Sequence, residues 1–269
     1  MERKFRANYH THTYLCNHAM GTVREYVEEA VSAGLEVLGF ADHAPYVFPE
    51  GYYSSFRMKP DEQKLYVDTL LELREEYKGK IDIFIGYETE YYPKHFADTL
   101  DLLNRYPCDY IIMGQHHTEN EYDGKYAGCR GDRDRVLRYV EQVCEGMRLG
   151  VYTYVAHPDH ICYAQEGEPT YEEDLGFYLE QMSRICRCSL ETDTPLEINM
   201  LGIRDERHYP NESFIKLLGE FGCKVIAGAD AHRPDAVARK EDWRRVLEYA
   251  DKYSLNLLDF VSLKAPKLK

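Results

Sequence analysis

The sequence predicts an α/β protein whose seven consecutive βα units curl into one closed or nearly closed parallel barrel. Three observations support this fold class. Short apolar, β-branched runs alternate with longer stretches of helical periodicity along the 269 residues. No Gly- or Pro-rich linker divides the chain, so a single domain spanning 1–269 is expected. Polar residues gather at the ends of the apolar runs, and none of the runs leads into a GxGxxG or P-loop turn. The last point counts against the alternative, a doubly wound open sheet.

The elements follow in order. "FRANYHTH" (5–12) is the first strand. Residues 22–34 read as a helix, with Thr22 and Glu25 forming a capping box and Val23, Tyr26, Val27, Ala30 and Val31 on one face. "VLGFADH" (37–43) is the second strand, a continuous apolar run of the kind buried on both faces. A helix over 60–78 starts at Pro60 and aligns Tyr66, Leu70, Leu73 and Tyr77. "IDIFIGYE" (81–88), a helix near 95–106, and "DYIIMGQH" (109–116) come next. Then come a helix near 132–148, "YTYVAHP" (152–158), a helix near 171–188 and "PLEINM" (195–200). A helix over 212–221 is capped by Asn211, carries Phe214, Leu217, Leu218 and Phe221 on one stripe, and stops at Gly222. "CKVIAGADAH" (223–232) is the seventh strand, followed by a helix near 235–252. The tail, 253–269, reads as a solvated end, and the aromatic insertion at 44–60 as either a substrate cover or packing over the rim.

Composition narrows the function. Lys and Arg total 33 against 47 Asp and Glu, a formal net charge of −14, so neither nucleic acid nor anionic lipid is an expected partner. An anionic substrate would need a locally cationic pocket. MERKFRANYH lacks the apolar core of a signal peptide, so a cytoplasmic location is expected. The eight cysteines contain no Cys-x-x-Cys pair and read as reduced, buried thiols rather than a zinc ribbon.

The histidines point to chemistry. His10 and His12 end the first predicted strand, with His18 in the loop behind it. His43, His116, His117, His157 and His160 end or follow the second, fourth and fifth, His208 follows the sixth, and His232 the seventh. Only His95, of eleven, falls on a predicted helix. The C-terminal strand ends of a parallel barrel converge on one face, so ten imidazoles, with Glu88 and Asp230, are predicted to meet there. The i, i+2 spacings His10/His12 and Asp230/His232 aim side chains the same way, as ligands to one ion require. Imidazole and carboxylate suit Zn²⁺, Mn²⁺ and Fe²⁺, and the surplus of ligands suggests a cluster of two or three ions. Such a cluster would also supply the positive pocket that a phosphate needs. No G-x-S-x-G elbow or cysteine–histidine signature competes, and Cys16 reads as a small buried residue beside the site. Glu88 and Glu90 could form a glycosidase pair, but the histidines would then have no role.

His10-Thr11-His12-Thr13 with Cys16-x-His18, then "FADHAP", "GYETEYY", "GQHH", "AHPD", "LEINMLGIR" and "AGADAH" resemble, in order, the motifs of the polymerase-and-histidinol-phosphatase (PHP) superfamily. The resemblance spans about 6–250 and is strongest to its stand-alone phosphatases. It implies a distorted (β/α)7 TIM-like barrel with three divalent ions at the C-terminal face. The first ion would take His10, His12, Glu88 and Asp230; the second Glu88, His116 and His157; the third His18, His43 and His232. In "GQHH", His117 is the alternative to His116. Arg204 resembles a position linked to substrate phosphate.

The implied reaction is hydrolysis of L-histidinol phosphate to L-histidinol and phosphate, a step of histidine biosynthesis, by a hydroxide bridging two ions. Rival readings are a PHP phosphoesterase for another small phosphomonoester or nucleotide, and a metal-dependent amidohydrolase. Asp159, His160 and His208 are the candidate acids for the leaving group. Glu90, Tyr91 and Asp42 are candidates for holding the amine and ring of the substrate.

Overall fold

The computed structural model describes residues 3–49, 52–163 and 171–267. Its framework is a curled parallel sheet with helices packed outside. Strands β1 (Ala7–Asn8), β2 (Val37–His43), β3 (Asp82–Thr89) and β4 (Tyr110–Met113) pair in that order. Two short β segments, β5 (His117–Thr118) and β6 (Lys125–Tyr126), form an antiparallel ribbon outside the sheet. Strands β7 (Leu196–Asn199), β8 (Lys224–Gly228) and β9 (Asn256–Leu257) form the second parallel group. Bridges from Val155 to Met113 and to Leu196 join the groups on one side, and Thr11 bridges Ala231 on the other.

The predicted fifth strand is reduced to that single bridge residue. Its hydrogen bonds nevertheless run to both neighbours: Val155 N–H donates to Pro195 O (3.0 Å) and Ala156 N–H to Met113 O (2.7 Å). Regular pairing stops at His157, whose φ of 29° turns the chain out of extended conformation before Pro158.

Alternation along the strands separates two cores. Tyr110, Ile112, Tyr154, Ala156, Ala41 and Ile226 fill the inside of the curl, whereas Ile111, Met113 and Val155 face the helices. The helices are α1 (Val23–Ala33), α2 (Gln63–Glu76), α3 (Phe96–Leu103), α4 (Arg133–Arg148), α5 (Tyr171–Thr192), α6 (Met200–Arg204), α7 (Glu212–Phe221) and α8 (Lys240–Tyr253). Thr22 and Glu25 form the expected capping box, and Gly34 and Gly222 end α1 and α7 in the left-handed conformation. Helix α2 starts at Gln63, three residues after Pro60, and the one-turn α6 has too few residues to show a periodicity in sequence.

The tail does not behave as a solvated end. Asn256 and Leu257 add β9 beside β8, and Leu258, Val261 and Leu263 pack against the inner core. Lys264 N–H donates to Thr153 Oγ1 (3.0 Å) and Ile111 N–H to Lys264 O (3.3 Å), so the segment covers the strand starts, opposite the histidines. Truncation after Leu255 is expected to cost about 3 kcal/mol, from the apolar area uncovered. Denaturant unfolding of the shortened chain measures it.

Candidate metal centre

Parallel pairing fixes the direction of the strands and therefore where the ligand side chains meet. His43, the last residue of β2, pairs in register with Glu88 of β3, and His43 Nδ1 lies 3.0 Å from Glu88 Oε2. His10 and His12 follow β1, and the bridge from Thr11 to Ala231 holds them beside Asp230. His10 Nε2 stands 3.7 Å from Glu88 Oε1 and 3.6 Å from Asp230 Oδ1. His12 Nε2 stands 3.6 Å from Glu88 Oε2 and 3.2 Å from Asp230 Oδ1. His116 Nε2 (3.5 Å) and His157 Nε2 (2.7 Å) approach Glu88 Oε1 from the other side. One carboxylate, 1% exposed, thus faces five imidazoles.

A second row of groups fixes which ring nitrogen points inward. His10 Nδ1 donates to Glu197 Oε1 (2.8 Å), whose other oxygen accepts from His157 N–H and Asn199 Nδ2, both at 2.9 Å. His116 Nδ1 donates to Glu90 Oε1 (3.0 Å), and His12 Nδ1 lies 3.4 Å from Asp42 Oδ1. Asp42 is itself held by Thr13 N–H (3.1 Å), Thr13 Oγ1 and His43 N–H (2.8 Å). Carboxylate partners of this kind orient imidazoles at metal sites and raise their basicity.

The arrangement fits a metal. Nε2 of His10 and His12 are buried without a hydrogen-bond partner, and Nδ1 of His43 and Oε2 of Glu88 meet at 3.0 Å without making a hydrogen bond, a cost normally avoided. His18 Nδ1 bonds the carbonyl of Cys16 (2.8 Å) and His232 Nδ1 that of Asp230 (3.1 Å), so both Nδ1 atoms must donate. Their Nε2 lone pairs then face each other at 2.9 Å. Desolvation lowers the pKa of both rings, that of the more deeply buried His232 to about 3, which disfavours a proton between them. A shared cation would relieve the repulsion. Burial opposes charge on His10, but Glu197, Asp230 and Glu88 outweigh it and lift the imidazole well above its ordinary value. These carboxylates therefore call for positive charge at their centre. His10–His12–Asp230, His10–Glu88–His157 and His18–His43–His232 each offer ligand atoms within 4.8 Å of one another. Two of these residues, His157 (φ 29°) and Asp230 (φ 47°), hold left-handed backbone, uncommon outside glycine though least so for Asn, Asp and His, and such conformations concentrate at functional sites.

A cavity of about 880 Å³ opens above this cluster. His18, His43, Glu88, His116, His157, Asp230 and His232 border it, as do Arg204 and His160. His117 also borders it, but its ring stacks on Phe56 with centroids 5.9 Å apart, whereas His116 carries the nitrogen that approaches Glu88.

Several groups stand apart from their expected places. Asp42 and Glu90 do not border the cavity: they are buried behind His12 and His116, where they hold rings and cannot reach a substrate amine. Tyr91 packs on Phe96 instead. Asp159 is buried and accepts from Asn211 N–H (2.6 Å), and His208 Nε2 bonds the carbonyl of His160 (2.8 Å). Of the three candidate acids only His160 reaches the cavity, with both ring nitrogens unpartnered. Burial pushes the Cys16 thiol up, which removes the thiolate a nucleophile needs.

Sequence reasoning missed Glu197, Arg57 and Glu121, and the arginines Arg207, Arg233 and Arg239 that join Arg204 at the rim. A glutamate inside the apolar "PLEINM" was the available signal for Glu197. Within the insertion, Tyr52 and Phe56 border the cavity and Arg57 is buried, so this stretch packs at the rim.

Comparison with known proteins gives a consistent picture. A probable histidinol-phosphatase of Deinococcus radiodurans is 28% identical over 237 residues, covering 85% of this chain and 86% of that protein. A probable histidinol-phosphatase of Schizosaccharomyces pombe is 25% identical over 268 residues, covering 93% and 87%. The crystal structure of Lactococcus lactis histidinol phosphate phosphatase with zinc, L-histidinol and phosphate superposes with a TM-score of 0.74 at 20% identity, covering 99% of this chain and all (100%) of that one. That likeness concerns the fold. The PHP domain profile matches residues 8–201, most of the chain and seven of the nine ligand candidates, and the chain belongs to the PHP domain family.

Proposed function

We propose that the protein is a metal-dependent phosphomonoesterase that hydrolyses L-histidinol phosphate. The observation that carries the reaction type is the convergence of five imidazoles on the Glu88 carboxylate, with the inward-facing nitrogens of His10, His12 and His43 left without a hydrogen bond. The substrate reading is supported by relatives along most of their length that are named histidinol-phosphatases. We read the curled sheet as a distorted (β/α)7 barrel, supported by the bridges at Val155 and Thr11.

His10, His12, Glu88 and Asp230 would hold one divalent ion, Glu88, His116 and His157 a second, and His18, His43 and His232 a third; Zn, Mn and Fe all suit these donors. Bound ions would neutralise phosphate charge and lower the pKa of an attacking water. The chain's own groups do the rest. Arg204, paired with Asp205 and Asp242 (both 3.3 Å), and Arg207, Arg233 and Arg239 place four guanidiniums at the rim, where they would draw the phosphate into an acidic protein. His160 is placed to donate a hydrogen bond to the leaving oxygen. Tyr52, Phe56, His117 and Tyr126 line the opposite wall, offering aromatic faces to an imidazole. Among the described residues no helix is long and apolar enough to cross a membrane, and the cavity is of a size that takes a small-molecule ester.

Chelation tests the reaction type. Removing metal is expected to abolish phosphate release, and Mn²⁺ or Zn²⁺ is expected to restore it. Undiminished turnover by protein shown free of metal would contradict the proposal.

A further inference from the structure

We propose that Arg57 is a positioning residue that locks one metal ligand and the substrate-facing wall into a single unit; this rests on reading His116 as a ligand. Its guanidinium is 1% exposed, deep for a cation, yet all of its nitrogens are engaged. Nη2 donates to Glu90 Oε1 (2.9 Å), Nε to Glu121 Oε2 (2.8 Å) and Nη1 to the carbonyl of Ala44 (2.8 Å). The rings of Phe56 and Tyr46 lie over it, with centroids 4.4 and 4.7 Å from the guanidinium carbon.

Each carboxylate does a second job. Glu90 Oε1 also accepts from His116 Nδ1 (3.0 Å), and Glu121 Oε1 accepts from the Tyr52 hydroxyl (2.8 Å). Tyr52, Phe56 and Glu121 border the cavity. One planar fork therefore sets the aim of a ring facing Glu88 and the position of the wall across from the arginine rim. A lysine cannot reproduce three directed bonds from one plane. Without Arg57, two buried carboxylates face each other uncompensated, and Glu90 no longer stays where His116 needs it.

The experiment titrates metal-free protein with Zn²⁺ against a competing chelator, counting ions per chain, and measures kcat and KM. His116→Ala is expected to remove one ion. Arg57→Met is expected to weaken that same ion by about 10–100-fold, the usual effect of losing an orienting group, while the others stay bound. KM is expected to rise with it. Glu90→Gln should weaken the same ion, and the double variant should be no worse than Arg57→Met, since both act through one path. Arg57→Lys, which keeps charge and most of the volume, is expected to weaken the ion less; it carries the test if Arg57→Met does not fold. Full-affinity binding by Arg57→Met, or by Arg57→Lys where the first variant does not fold, would overturn the proposal, as would additive losses in the double variant. If His116→Ala instead keeps every ion, the ligand reading beneath the proposal has failed, and that outcome is separate.

Discussion

Glu88→Gln is expected to lower kcat by about 10³-fold, because losing the shared carboxylate removes several kcal/mol of charge stabilisation at phosphorus. Glutamine has nearly the same size, so packing is preserved and the effect isolates the charge. In the metal-free protein, burial opposes ionisation of Glu88, but His116, His43 and His10 outweigh it and hold the carboxyl well below its usual range. The group is therefore a carboxylate at neutral pH and able to serve two ions. Metal analysis should show at least one ion lost from Glu88→Gln, with the fold unchanged by circular dichroism. A variant that keeps every ion and turns over within tenfold of the parent would remove Glu88 from the centre.

Gly114→Ala is expected to damage the same carboxylate from behind. A Cβ on Gly114 would overlap Glu88 Oε1 and its carboxyl carbon, so either the strand end or the carboxylate must move. The overpacking cost is about 1–3 kcal/mol, read by denaturant unfolding. Displacing a reacting-centre group by about 1 Å can cost 10²-fold in rate, so activity should fall by about that factor or more. A variant with parental kcat would mean that the Glu88 carboxylate does not depend on the space Gly114 leaves.

The fold and the ligand cluster were legible to different depths. Strands β2, β3, β4, β7 and β8 each lie within or one residue beyond their predicted runs, because continuous apolar, β-branched runs between turn signals carry their own evidence. Helices α1 and α7 were legible down to their caps, which depend on neighbours three or four residues away. The grouping of the histidines followed from parallel strands sharing one direction. Depth did not follow. Glu88 and Glu90 share a face by period two, yet one looks into the cavity and the other turns to Arg57, 33 residues earlier in the chain. Asp42 is occupied by Thr13, 29 residues earlier. Partnerships across such distances leave no local pattern. The tail misled for another reason: its apolar residues are interspersed with Lys and Asp, and it becomes interior only because the curled sheet leaves an open end to cover.

Hydrolysis of L-histidinol phosphate is read out by kcat/KM for phosphate release by protein reconstituted with Mn²⁺ or Zn²⁺. The expected value is about 10⁴ M⁻¹s⁻¹ or more, the range of efficient enzymes on their own substrates. A value orders of magnitude lower, with the ions shown to be bound and another phosphate ester hydrolysed faster, would contradict the substrate reading.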